Sequence, residues 1–110
     1  MFKAWAGTLL GFKPITELSQ GTAKLISKPR SRIKAKDQLF SLLNQRVGHN
    51  PVHVNVMHAN SQTEAEEMLD RIQDTLNCLE IFISEFTPVM GAHTGPGVLG
   101  LAFYSDIPNN

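Results

Sequence analysis

The segment VHVNVMHANSQTEAEEMLDRIQDTL, residues 52–76, carries the strongest fold signal in this 110-residue chain. Its first six residues alternate valine with His53, Asn55 and Met57, which is the period of a β-strand with one buried face. Residues 61–64, SQTE, then match the S-x-x-E capping box, which begins a helix by satisfying its first backbone donors. Apolar residues recur behind it at helical spacing, and these are Ala65, Met68, Leu69, Ile72 and Leu76. The segment therefore predicts a strand followed by an amphipathic helix.

Two further strands extend this prediction. Residues 79–86 read as a second strand, and residues 98–104 as a third that is apolar on both faces and therefore interior to a sheet. A strand, a helix and a strand within residues 52–86 indicate a βαβ crossover. We therefore predict an α/β fold, a two-layer sandwich of a mixed β-sheet with helices on one face.

The preceding half of the chain predicts a short helix, a hairpin and a longer helix. Residues 3–11 read as one or two helical turns. Residues 13–18 and 22–27 are strand-like runs around a glycine-containing loop, which indicates a β-hairpin. From Ser31, a candidate N-cap, a helical period takes over and ends at Gly48, Asn50 and Pro51. The apolar face of that helix is expected to carry Ala35, Leu39, Leu42, Leu43 and either Arg46 or Val47.

Composition excludes disordered and membrane-spanning classes. The chain is 42% hydrophobic and 18% charged, and no run approaches the about 18 apolar residues that a membrane span needs. We expect one domain over residues 1–110. The lone Cys78 can form neither a disulfide framework nor a zinc site, so a cytoplasmic location is expected.

The zero net charge hides a strong asymmetry along the chain. Residues 1–58 hold nine Lys/Arg against two acids, a net charge of +7, whereas residues 59–110 hold one arginine against eight acids, a net charge of −7. Two interpretations stay open. The charges are either the solvated faces of two helices, or a polarity that guides an anionic partner to the basic half or attracts the two halves to each other.

The motifs that suggest catalysis lack the surrounding sequence or spacing that their chemistry requires. Residues 95–100, GPGVLG, match the dinucleotide pattern G-x-G-x-x-G, but a strand follows them where that motif requires a helix. His53 and His58 leave opposite faces of one strand and cannot share an ion, so with His49 they are interpreted as structural. Cys78 is interpreted as a buried, unreactive thiol. We therefore predict no enzyme activity, no cofactor and no metal site.

Two features remain as candidate binding elements. Residues 24–36 carry six positive charges and no acid at a strand–helix junction, and the lack of interleaved aromatic residues argues against nucleic acid as their target. Residues 91–97, GAHTGPG, form a loop between two apolar strands in which His93 and Thr94 supply polar side chains. Two interpretations of this loop stay open, a ligand site and a tight connection between the strands.

Four segments of the chain together resemble one known family. Residues 83–104, ISEFTPVMGAHTGPGVLGLAFY, resemble the closing signature of the DegV family, the fatty-acid-binding subunits of bacterial fatty acid kinase. Residues 11–15, GFKPI, and residues 29–35, PRSRIKA, resemble its "nIKPIl" and "vRTrkkA" segments. Residues 58–60, HAN, followed by residues 64–66, EAE, resemble its strand-to-helix turn.

The resemblance implies a DegV-like C-terminal lipid-binding domain without the family's N-terminal domain. It implies that His93 and Arg30 bind the carboxylate of a long-chain fatty acid, with Thr94 and Arg32 as lesser candidates. The backbone of the ligand loop would come from Gly91, Ala92, Gly95 and Gly97. The implied partner is the catalytic subunit of fatty acid kinase, to which such a carrier presents the acyl carboxylate. The alternative is an interaction domain that forms a homodimer through an exposed tunnel wall, without binding lipid.

Overall fold

The computed structural model describes residues 2–8, 15–19, 22–85 and 97–105, and its mixed sheet and two helices confirm the predicted fold class. The strands are β1 (Phe2–Thr8), β2 (Ile15–Ser19), β3 (Thr22–Ser27), β4 (Val52–His58), β5 (Cys78–Glu85) and β6 (Leu99–Ser105). The helices are α1 (Arg32–Val47) and α2 (Gln62–Thr75). Neither described helix has the length and apolar composition that crossing a bilayer requires.

The six described strands form one sheet in the order β3-β2-β1-β6-β4-β5. Strands β4 and β5 are parallel, with Val54 beside Ile81, and α2 connects them, which confirms the predicted strand–helix–strand unit. Strand β6 lies between β1 and β4 and runs antiparallel to both, so its predicted interior position is confirmed. Strands β3 and β5 lie at the two ends of the sheet as described.

The core lies between one face of the sheet and the two helices. Along β4, Val52, Val54, Val56 and His58 are buried, whereas the residues between them are only partly so. The core cluster joins these valines to apolar side chains of β6 and of both helices. Its other members include Leu39, Leu43, Met68, Ile72, Leu99, Leu101 and Phe103. Because alternate residues of β4 and β6 enter this one core, the helices cover one face of the sheet, as predicted.

The predicted hairpin and the longer helix that follows it are confirmed. Strands β2 and β3 pair antiparallel. Ser31 is the N-cap of α1, and its hydroxyl oxygen accepts a hydrogen bond of 3.2 Å from the backbone N–H of Lys34. The helix ends at Gly48, whose φ of 56° favours glycine. At the C-terminal end of the apolar face, Val47 is buried and Arg46 is exposed.

The prediction of helical turns over residues 3–11 is wrong for residues 3–8, which belong to β1, and residues 9–11 lie outside the described residues. Strand β1 pairs with β6 from Phe2 to Thr8 and with β2 over its second half. Hydrogen bonding to two neighbouring strands outweighs local propensity, because a helix of one or two turns is unstable alone.

Helix α2 begins where predicted, but without the predicted capping box. Ser61 is the N-cap residue, yet its hydroxyl donates to the Ala59 carbonyl at 3.3 Å and makes no capping hydrogen bond to the helix. The Glu64 carboxylate accepts hydrogen bonds from Arg32 instead. The Ser61 backbone N–H, from which the glutamate of a capping box would accept a hydrogen bond, donates to His58 Nδ1 at 2.9 Å, and Glu64 forms charge-assisted hydrogen bonds with Arg32.

Candidate functional site

The candidate site lies where β4 ends, α2 begins and β6 starts. The residues after β4 and before β6 are joined by two backbone hydrogen bonds, from Gly97 N to Ala59 O at 2.7 Å and from Ala59 N to Val98 O at 3.0 Å. Gly97 has a φ of 90°, a conformation that side chains with a Cβ rarely adopt. The last residue of the predicted ligand loop is therefore held tightly against the end of β4.

Arg32, in the first turn of α1, connects this junction to both helices. Its Nε and Nη2 atoms each donate to one carboxylate oxygen of Glu64, both at 2.6 Å, and Nη2 also donates to the Gly97 carbonyl at 2.6 Å. Lys36 Nζ lies 3.2 Å from Glu64 Oε2. The hydrogen bonds from Arg32 lower the pKa of Glu64, although partial burial of this carboxyl acts in the opposite direction. Glu64 is therefore ionised at neutral pH and bound by two cations.

His58, the last residue of β4, is buried beneath the start of α2, with 2% of its surface exposed. Its Nδ1 accepts a hydrogen bond of 2.9 Å from Ser61 N, so Nε2 carries the proton and donates to Gln62 Oε1 at 3.0 Å. Both ring nitrogens are satisfied within the protein. This confirms the interpretation of His58 as a structural histidine.

A polar cavity of about 460 Å³ opens beside this junction. It is lined by His58, by residues 60–64 and by Glu85 at the end of β5. Asn60 lies in the turn with a positive φ of 56°, which asparagine tolerates better than most residues. The cavity thus lies at the carboxyl ends of the two parallel strands, the usual place for a ligand in an α/β sheet.

His53 and Cys78 are titratable residues that lie outside this junction. His53 is on the opposite side of β4 from His58, where it stacks on Tyr104 with ring centroids 4.4 Å apart. No group of three or more His, Cys, Asp or Glu suited to a metal occurs among the described residues. Cys78 is partly buried, and this burial raises its pKa, so little thiolate forms at neutral pH.

The structure brings together two of the predicted site residues, Arg32 and Gly97. Arg30 is exposed just before α1, and its side chain makes no hydrogen bond or ion pair within the described part of the chain. The remaining predicted site residues lie outside the described residues, and these are Gly91, Ala92, His93, Thr94 and Gly95. The sequence did not predict the contact of Arg32 with Glu64, which lies 32 positions away and has no local signal beyond its place in an S-x-x-E pattern.

The fold and the site together define a class, a mixed α/β two-layer domain with a polar cavity at the end of its parallel strands. Residues 1–106 match the family described as "Uncharacterised protein, DegV family". The chain is 35% identical over 104 residues to a DegV domain-containing protein of Streptomyces coelicolor and 30% identical over 102 residues to protein DegV of Bacillus subtilis. The chain belongs to the DegV family. The two alignments cover 94% and 92% of this chain but 37% and 36% of the relatives, so it spans a little over a third of their length.

Solved structures of the family have the same fold. A DegV family protein from Corynebacterium glutamicum superposes with a TM-score of 0.85 at 16% identity, over 98% of this chain and 50% of that one. DegV from Bacillus subtilis, described as a fatty acid binding protein, superposes with a TM-score of 0.83 at 21% identity, over 96% and 45%. A DegV lipid binding protein from Thermotoga maritima gives a TM-score of 0.82 at 20% identity, over 98% and 44%. At these identities the similarity establishes the fold.

Proposed function

We propose that this chain is a fatty-acid-binding module, part of a carrier that holds one long acyl chain and presents its carboxylate to the catalytic subunit of a fatty acid kinase. Membership of the DegV family supports lipid binding, since the relatives with the same fold include proteins described as binding lipid or fatty acid. The module itself would carry out no catalysis. Transfer of a phosphoryl group would belong to the kinase subunit.

The observation that carries this proposal is the attachment of Gly97 to Ala59 and Arg32, beside a polar cavity. It gives the adjoining ligand loop a fixed end at the carboxyl edge of the sheet. We assign the acyl carboxylate to His93 and Arg30, with Thr94 as a further donor. An arginine and an imidazole together stabilise a carboxylate through charge-assisted hydrogen bonds, and Arg30 has no competing partner among the described residues.

Native mass spectrometry of the delipidated chain, mixed with oleate or palmitate, tests the proposal. One bound acyl chain per protein is expected, with a much weaker signal for the fatty alcohol of equal length, because the alcohol lacks the charge that His93 and Arg30 recognise. The same measurement is made on the chain joined to the N-terminal domain of a DegV relative, which supplies the remaining two thirds. Absence of an acyl-bound species in both forms would overturn the proposed function.

A second candidate function, self-association without lipid, is favoured by the distribution of exposed apolar side chains. Among the described residues, the large exposed hydrophobic side chains are Leu25, Ile26, Ile33, Leu79 and Phe82, and all but Ile33 lie on β3 or β5. These are the end strands of the sheet as described, and exposed apolar end strands pair readily with other chains. Sedimentation velocity at increasing concentration tests this candidate. A dimer of the parent that is lost in a Phe82→Lys variant supports it. A parent that stays monomeric at high micromolar concentration contradicts it.

A further inference from the structure

Arg32 has already committed its Nε and Nη2 donors within the protein. Two of its nitrogen atoms bind the two carboxylate oxygens of Glu64, and one of them also binds the Gly97 carbonyl, all at 2.6 Å. The Arg32 and Glu64 side chains are 21% and 25% exposed, so this is a partly desolvated contact and not a loose surface pair. A bidentate pair of this kind fixes the direction of the guanidinium plane as well as its position.

An arginine in this state is poorly suited to hold an acyl carboxylate. To bind an acyl carboxylate in the same bidentate way, it would have to release Glu64, which would then lie partly buried beside the incoming carboxylate. Separating such a pair costs free energy because each charge is left without the hydrogen bonds of its partner. Two carboxylates sharing one site also repel each other. The same contacts suit a different role, since they connect the first turns of both helices to the backbone of Gly97.

We propose that Arg32 and Glu64 are positioning residues: the pair holds the Gly97 carbonyl, and thereby the end of the ligand loop that carries His93, without itself contacting the acyl carboxylate. This inference rests on the proposed function and refines it. Gly97 is held from two sides, by Arg32 at its carbonyl and by Ala59 at its N–H. Loosening the Arg32 side therefore shifts the end of the loop at Gly97 while leaving the core packing of β4 and α2 in place.

Two substitutions of Glu64 separate a positioning role from a ligand role, because the two roles predict opposite signs. In Glu64→Asp, the carboxylate keeps its charge but loses one methylene of reach. In Glu64→Gln, it loses the charge. Both changes weaken the hold on Arg32. If Arg32 positions the loop, fatty acid affinity falls by about tenfold, the scale of one lost hydrogen bond to a charged group. If Arg32 is a ligand, releasing it from Glu64 keeps or raises fatty acid affinity.

The readout is the ratio of palmitate to hexadecanol affinity, measured on the full chain or its fusion at a temperature where every variant is folded. A merely structural effect lowers both affinities together, whereas misplacement of the carboxylate-binding loop lowers the ratio. Asp37→Asn is the matched control, because Asp37 and Arg71 form the exposed ion pair of 2.7 Å that also joins α1 to α2. The control is expected to leave the ratio unchanged.

The outcomes are distinct. A reduced ratio in both Glu64 variants, with Asp37→Asn like the parent, supports the inference. An unchanged or raised ratio in Glu64→Asp overturns it while the proposed function stands, since the parent still prefers the acid. A parent that binds neither ligand, both as the chain alone and as the fusion, overturns the proposed function, and the positioning role fails with it.

Discussion

At the scale of single residues, Glu64 gives the chain a pH-dependent contribution to stability. Hydrogen bonds from Arg32 hold its pKa below the ordinary value of 4.5. A carboxyl whose pKa is lower in the folded protein stabilises the fold above its ordinary pKa, and this contribution is lost as the pH falls through the folded value. The free energy of unfolding of the parent should therefore exceed that of Glu64→Gln at pH 7, and the difference should shrink below pH 4.5. Urea titrations at both pH values check this, and an equal difference at both would contradict it.

Arg30 and His93 provide the second test at this scale. Arg30 is exposed and has no partner in the described part of the chain, so Arg30→Ala should change the free energy of unfolding by less than about 0.5 kcal/mol, as surface substitutions usually do. Acyl-chain retention should nevertheless fall in Arg30→Ala and in His93→Ala. If both side chains bind one carboxylate, a double-mutant cycle on retention gives a coupling well above zero. Strictly additive effects would show that these two residues do not share a ligand.

At the scale of elements, Gly97 is the critical residue of the connection that enters β6. Its φ of 90° is closed to β-branched residues, so Gly97→Val should destabilise the protein by about 1–3 kcal/mol and also weaken acyl binding. Gly48 is the control, since it also has a positive φ, 56°, but ends α1 with nothing within 4 Å of a Cβ placed there. Gly48→Val should lower stability and leave acyl affinity unaltered. Thermal unfolding and ligand titration of both variants make the comparison, and equal losses of affinity would contradict a specific role for Gly97.

At the scale of the whole molecule, some charges of the basic half form ion pairs with the acidic half. Arg32 and Lys36 from the basic half bind Glu64 from the acidic half, so attraction between the halves accounts for some of the charges. Lys34 is exposed and has no such partner among the described residues, which leaves it available to a partner protein.

If the basic half docks on an acidic kinase surface, Lys34→Glu should slow association several-fold at low ionic strength and weaken its salt dependence, because charges at an interface rim act on the encounter rate. Lys34→Glu combined with Asp74→Lys restores the net charge of zero and should remain slow, since position matters more than total charge. Stopped-flow association with the kinase subunit measures both. Recovery of the parent rate in the double variant would assign the effect to net charge alone.

Local periodicity in the sequence determined much of this architecture. The alternating valines of β4, the apolar face of α2, the Ser31 cap of α1 and the hairpin of β2 and β3 are confirmed, because burial on one face imposes a repeat that neighbouring residues reveal. That residues 2–8 form a strand followed only from the tertiary structure, because β1 pairs along its whole length with β6, near the other end of the sequence. The tertiary structure likewise decided the junction of Arg32 with Glu64 and Gly97, which are 32 and 65 positions away. Contacts over such separations follow from how the layers pack, and no local pattern of residues encodes them.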